Sequence, residues 1–347
     1  MNCSGCSPIH PIEEQGILYL RPRSPVLLEA LQALAMKVVH SNDLIQMQYT
    51  STEAVRNVLG KVERADLSLQ ASVEVQVTPL HMQADPDGWI RPQMLESRIR
   101  HAELVSIILG NQFSSHMQPI VDASEQIIGF EFLLRPAENG KPFNPYELFE
   151  VARYTGLQSY LDRKARTTAI ETSAACLPHG VKRFVNFLPS SIYHPASCLT
   201  HTFNAIERLE LDPRDFVFEM VETEQVQHVS MLQYIFDTYR SHGISVALDD
   251  VGAGFSTLEL MNRLEPDFVK IDRSLIDHCD MDKTRQRKIV DIVEMSRRFG
   301  GRVLAEGIER IEEFEYCRSV GIELAQGYYF GKPSSCPPEG PYRRTTA

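Results

Sequence analysis

From about His116 onward, short apolar runs alternate with helical stretches. This alternation constrains the fold more than any other feature of the chain. The apolar runs are Phe184–Phe187, Phe216–Val221, Val246–Leu248, Phe268–Ile271 and Val303–Ala305, with helical periodicity between them at Leu232–Tyr239 and Ile289–Phe299. Repeated strand–helix units over ~230 residues specify a parallel α/β sheet or a (β/α)8 barrel.

The chain has 347 residues, room for two domains or for one barrel with an appendage. Residues 1–90 read as a small α/β domain. Ile17–Leu20 form a short apolar run, and Ser24-Pro25 opens a helix carrying Leu27, Leu28, Leu31, Leu34 and Val38. Ile45, Met47 and Tyr49 alternate as on a strand, and Ser51 caps a helix ended by Gly60. Residues from Leu67 to Val77 alternate apolar and polar, as on a half-buried strand. After the turn-rich Gln83–Gly88, residues 91–110 predict one connecting helix. The barrel is expected over 103–335 and a tail over 336–347.

No run of 18 apolar residues occurs, so no membrane-spanning helix is expected. The start MNCSGCSPIHPIEE lacks the basic and apolar regions of a secretory signal. The net charge of −11 argues against coating a nucleic acid polymer, which takes a basic surface. The seven cysteines are odd in number and mostly scattered, which predicts a reducing, cytoplasmic setting. Cys3 and Cys6, with His10 nearby, read as two free thiols rather than as a zinc site completed by His40 or His81.

The polar residues that end the apolar runs carry the chemistry. Asn186, Glu219, Asp249 with Asp250, Lys270 and Glu306 each sit at or near a strand's carboxyl end. Their spacings of 33, 30, 21 and 36 residues each fit one strand–helix unit. In a barrel these ends meet on the face that bears active sites. Glu131 and Arg135 lie four apart in IIGFEFLLRP, on one face of a strand, with Phe132 and Leu134 on the other. The acidic cluster offers only oxygen donors, which suit Mg²⁺ or Mn²⁺ and disfavour zinc. Crowded carboxylates repel unless cations offset them, and the ligand count is enough for two ions, a device for phosphate-ester hydrolysis. A lysine and an arginine are suited to hold phosphate oxygens. An unrelated glycosidase with paired carboxylates is disfavoured by those two cations.

Residues ~103–335 resemble the EAL-domain cyclic di-GMP phosphodiesterases. The matching blocks are HMQPIVD, FEFLLRP, FVNF, FEMVETE, ALDDVGAGFSTL, DFVKID, AEGIE and QGYYFGKP, in order. The resemblance implies a modified TIM barrel that hydrolyses cyclic di-GMP to linear pGpG with two Mg²⁺ or Mn²⁺ ions, Ca²⁺ being inhibitory. It implies Glu131, Asn186, Glu219 and Asp249 as ligands of the first metal, and Asp250 as helping Asp249 hold the second. It implies Lys270 as orienting or activating the attacking water, Glu306 and Glu309 as a late acidic pair, and Gln326 as a glutamine near the substrate. Arg135 would grip a phosphate, and Glu222 would position the loop after Asp250. A homodimer is expected, with an unknown regulatory partner for residues 1–90, which match no named sensor family.

Three departures stand out. The signature E-A-L reads Glu131-Phe132-Leu133. D-D-F-G-T-G reads Asp249-Asp250-Val251-Gly252-Ala253-Gly254, and E-x-T-E reads Glu219-Met220-Val221-Glu222. None removes a metal ligand, but the loop changes leave open a second reading. In that reading the chain is a non-catalytic cyclic di-GMP receptor or scaffold.

Overall fold

The computed structural model describes residues 10–21, 28–29, 31, 38–41, 44–64, 72–192, 194–221, 229–253, 258–338 and 342. They fall into two compact units. One takes Met1–Phe113 and Pro136–Leu161, the other Ser114–Arg135 and Asp162–Ala347.

The first unit holds a four-stranded antiparallel sheet in the order β2-β3-β1-β4. The strands are β1 (Gly16–Arg21), β2 (Val38–Ser41), β3 (Leu44–Tyr49) and β4 (Glu74–Thr78). Period-2 alternation puts Leu18, Leu20, Ile45, Met47, Tyr49 and Val75 into one core. Helix Thr52–Glu63 covers it with Val55, Val58, Leu59 and Val62, and Ser51 caps that helix by accepting from the Ala54 amide at 3.2 Å. The helix expected from Ser24 and the start of the long alternating strand lie mostly outside the described residues. The single helix expected over 91–110 is two helices, Pro92–Arg100 and Ala102–Leu109. His101, at φ −105° and ψ 34°, breaks them. The apolar stripe changes phase there: Leu95 is buried, Ala102 and Glu103 are exposed, and burial resumes at Val105.

The second unit is a closed eight-stranded barrel in the order β10-β11-β12-β5-β6-β7-β8-β9. Its strands are β5 (Phe113–Asp122), β6 (Ile127–Pro136), β7 (Lys182–Phe187), β8 (Phe216–Met220), β9 (Ser245–Val251), β10 (Phe268–Ile271), β11 (Arg302–Ala305) and β12 (Leu324–Gln326). From β6 through β12 every neighbouring pair is parallel. The closing pair, β12 with β5, is antiparallel, with Gln326 opposite Ile120. β5 turns tightly into β6: the Asp122 carboxylate accepts from the amides of Ser124 at 2.8 Å and Gln126 at 3.1 Å. No crossover helix separates these two strands, so their directions cannot match.

The barrel interior is packed rather than hollow. One buried apolar residue per strand forms its centre: Ile120, Ile128, Phe184, Val217, Ala247, Phe268, Leu304 and Leu324. Phe184 and Phe268 meet edge to face at 5.3 Å. At the amino-terminal end of β7, the fully buried Arg183 donates to Asp215 at 2.9 Å. Its guanidinium also meets the carbonyls of Val181 and Pro178.

Candidate active site

Two residues beyond the apolar centre, the side chains turn polar on every strand but one. Phe184 is followed by Asn186, Val217 by Glu219, Ala247 by Asp249, Phe268 by Lys270, Leu304 by Glu306 and Leu324 by Gln326. An offset of two keeps a strand residue on the same face, so all six point inward above the core. On β6 the offset is three, from Ile128 to Glu131. On β5, which runs the other way, the equivalent of Ile120 plus two is Gln118. The eight form one connected ring.

Lys270 is its hub. The ammonium lies 2.6 Å from Glu306, 3.0 Å from Glu219, 3.0 Å from Asp249 and 3.7 Å from Glu131. Asn186 donates to Glu131 Oε1 at 2.9 Å, and Gln326 to Glu131 Oε2 at 2.7 Å. Gln326 also donates to Gln118 Oε1 at 3.1 Å. Burial works against the Lys270 charge, but the surrounding carboxylates outweigh it and hold the ammonium well above the ordinary lysine value. Burial pushes Glu219 and Glu306 well above the usual carboxylate range, and their acidic neighbours add to it. Glu131 is the exception. Burial opposes its charge, yet Lys270 and the two amide donors pull its carboxyl below the usual value.

Asp249 and Asp250 are consecutive, and strand alternation should turn them to opposite faces. β9 evades this with an irregularity. Val269 pairs with Leu248 and Ile271 with Val251, so two residues of β9 oppose the single Lys270. Asp250 takes φ 53° and donates its amide to Asp249 Oδ1 at 3.0 Å. Carboxylate oxygens of Asp249, Asp250 and Glu306 then lie within 4.8 Å of one another. Gly252 follows at φ 100°, with Leu275 so close that a Cβ there would collide at 2.2 Å.

Arg135 lies at the end of β6 and donates to the Leu134 carbonyl at 2.8 Å. Among the described residues it makes no ion pair; Glu131 is held by Lys270 and the amides instead. Phe132 is buried away from Glu131 by strand alternation. Glu309 pairs with Arg273 at 2.8 Å, outside the ring. Glu222 and the loop from Gly254 to Thr257 lie outside the described residues. The sequence reasoning missed Gln118. A search at carboxyl strand ends skips a polar residue that precedes its core residue on a reversed strand, although Gln118 stands within the HMQPIVD block.

The ring fits divalent cations. Its carboxylates with Asp250 and Lys270 leave a formal charge of −4, which two such ions balance. Every donor is oxygen. Among the described residues Glu219 Oε2 and Gln326 Oε1 are buried without a hydrogen-bond donor, while Glu219 Oε1 is met only by the Lys270 ammonium at 3.0 Å. Oxygens left so are ligands in search of a cation or a donor.

Fold and site together define an eight-stranded α/β barrel with a buried cluster of carboxylates and amides around one lysine at the carboxyl ends of its parallel strands. The EAL domain pattern matches residues 98–333, and the chain belongs to that family, which includes cyclic di-GMP phosphodiesterases. It is 31% identical over 234 residues to the blue light- and temperature-regulated antirepressor BluF of Escherichia coli, covering 66% of this chain and 57% of BluF. It is 27% identical over 239 residues to the cyclic di-GMP phosphodiesterase PdeL of the same organism, covering 67% of this chain and 65% of PdeL. The chain thus spans less than two thirds of these curated relatives. A standalone EAL protein of Vibrio cholerae in its c-di-GMP-bound form superposes with a TM-score of 0.59 at 32% identity, over 65% of this chain and 94% of that one. The manganese and c-di-GMP complex of Klebsiella pneumoniae BlrP1 shares the fold over 92% of this chain and 96% of its own, with a TM-score of 0.59 at 21% identity. Among the described residues no helix is long and apolar enough to cross a membrane.

Proposed function

We propose that this chain hydrolyses cyclic di-GMP to linear pGpG with two divalent cations, Mg²⁺ or Mn²⁺. One observation carries the reading: the ring joins four carboxylates, an asparagine and a charged lysine into a single buried network at the carboxyl ends of the strands. Glu131, Asn186, Glu219 and Asp249 would hold the first cation, and Asp250 with Asp249 the second. Bound there, the cations would offset the carboxylates and polarise the scissile phosphate.

The chain's own groups divide the remaining work. Lys270 stays an ammonium in its cage, so it orients the attacking water and meets developing negative charge rather than taking a proton. Glu306, 2.6 Å from that ammonium, is the carboxylate placed to receive the water's proton. Water adds to phosphorus, one P–O bond to the sugar breaks, and the leaving sugar oxygen takes a proton from solvent while Glu306 returns its own to solvent. Arg135, which makes no ion pair among the described residues, grips a phosphate oxygen. Glu222 would order the loop after Asp250.

The second reading, a receptor that binds cyclic di-GMP without cleaving it, draws on the altered loop at Val251 and Ala253 and on the antirepressor among the relatives. Incubating the purified chain with cyclic di-GMP and Mn²⁺, then separating the nucleotides, decides between them. The proposal expects pGpG. Stoichiometric binding with no product supports the receptor.

A further inference from the structure

Glu131 is held by amides on both oxygens, and the one on Oε2 has a supporting partner of its own. The Gly331 carbonyl is a fixed backbone acceptor, and Gln118 Nε2 donates to it at 3.2 Å. Only the amide nitrogen can do so, which turns Gln118 Oε1 toward Gln326. Gln326 must then present its nitrogen, and does so at 3.1 Å. The same nitrogen donates its second proton to Glu131 Oε2 at 2.7 Å. Polarity therefore runs one way along the chain of groups, from Glu131 through two glutamines to a carbonyl that cannot reverse.

Two consequences follow from that one-way order. Both Gln326 amide protons are spent within the protein, and among the described residues Gln326 Oε1 is left buried with no donor. A ligand group that meets it must itself donate, as water, a hydroxyl or an N–H does, and a phosphate oxygen does not. Turning the Gln326 amide over would set its oxygen against two acceptors, Glu131 Oε2 and Gln118 Oε1, so Gln118 supplies the second of the two contacts that hold the amide one way round.

We propose that Gln118 is a positioning residue. Together with the Glu131 carboxylate it fixes the orientation of Gln326, which in turn holds Glu131 in place as a cation ligand and offers bound ligands only an acceptor. This rests on the two-cation reading above. Gln118 itself is buried on β5 and touches the cluster only through Gln326 among the contacts described.

Calorimetric titration with Mn²⁺ alone, on the full chain, tests it in four forms: wild type, Gln118→Met, Gln326→Met and the double variant. Residues that support a metal ligand from outside its shell set affinity by about 10–100-fold. Gln118→Met is expected to weaken Mn²⁺ binding by about ten-fold or more. The double variant is expected to bind no more weakly than Gln326→Met, because Gln118 acts through Gln326. Unchanged affinity in Gln118→Met, or losses that multiply in the double variant, would overturn the proposal. Should Gln118→Met fail to fold, Gln118→Asn makes the same test. It keeps the polar group but is one methylene too short to span both partners, and wild-type affinity in it overturns the proposal. A wild-type chain that binds no Mn²⁺ instead overturns the two-cation reading itself.

Discussion

Asp249 and Asp250, neighbours on one strand, both stand opposite Lys270, because β9 carries one more residue than β10 at that point. The irregularity converts a sequence that should alternate into a pair of carboxylates on one side. Asp250 at φ 53° occupies the left-handed region that aspartate and asparagine tolerate better than most side chains.

Asp250→Asn therefore keeps the backbone and removes the charge. We expect a folded protein whose melting temperature without cation at neutral pH is at or above that of wild type, one Mn²⁺ ion bound where the proposal gives wild type two, and turnover reduced by at least ~100-fold. Asp250→Val puts a β-branched residue at the same φ and is expected to cost roughly 1–3 kcal/mol of stability. Denaturant unfolding of both variants separates the backbone effect from the loss of charge.

The Asp250 carboxyl is raised to about 6 by burial and by the charge of Asp249, from an ordinary value of 3.8. Between these values the folded chain keeps a proton that the unfolded chain has released. Its contribution to the stability of the cation-free chain is full below 3.8 and is lost as pH rises through about 6. Cation binding needs the carboxylate, so Mn²⁺ affinity moves the other way and climbs through the same range. Mn²⁺ titrations at about pH 5 and about pH 7.5 check the sign. Equal affinity at both would place the titration elsewhere.

Glu131 and Arg135 share a strand face but not a partner. Glu131→Ala removes the proposed cation ligand and the anchor of two amides, and turnover is expected to collapse. Arg135→Ala removes a rim contact, so KM should rise with a smaller loss in kcat. Steady-state kinetics with cyclic di-GMP read the difference. Equal, modest effects from both would contradict the roles given to them.

Much of the ring was legible because five strands end an apolar run on a polar residue two positions beyond their core residue; Gln326, on a sixth, was reached only through the family resemblance. Glu131 and Arg135 were legible from their even spacing. Gln118 was not, because β5 runs against the other strands and places its polar residue before Ile120 rather than after. The reversal itself had only a weak signal, the short Asp122–Gln126 turn where a crossover helix was due. The break at His101 was hidden for a different reason. Its residues are all compatible with helix, and only the phase of the apolar stripe betrays it.

At the opposite end of the barrel, Arg183 and Asp215 form a buried pair with no part in the ring. Removing one partner strands the other charge, at a cost of about 3–5 kcal/mol. Arg183→Met is expected to lower the midpoint of denaturant unfolding accordingly, while Mn²⁺ affinity below the transition stays at the wild-type value. A change in affinity would tie this pair to the site.

The central claim is that the ring performs hydrolysis with divalent cations. Cyclic di-GMP turned over by the full chain in ¹⁸O-labelled water tests it directly, with Mn²⁺ present or removed by EDTA and with the product weighed by mass spectrometry. Cation-dependent hydrolysis gives pGpG carrying one ¹⁸O on its new terminal phosphate, formed with Mn²⁺ and abolished by chelation. Intact cyclic di-GMP after long incubation with Mn²⁺, or labelled product that persists under EDTA, would contradict it.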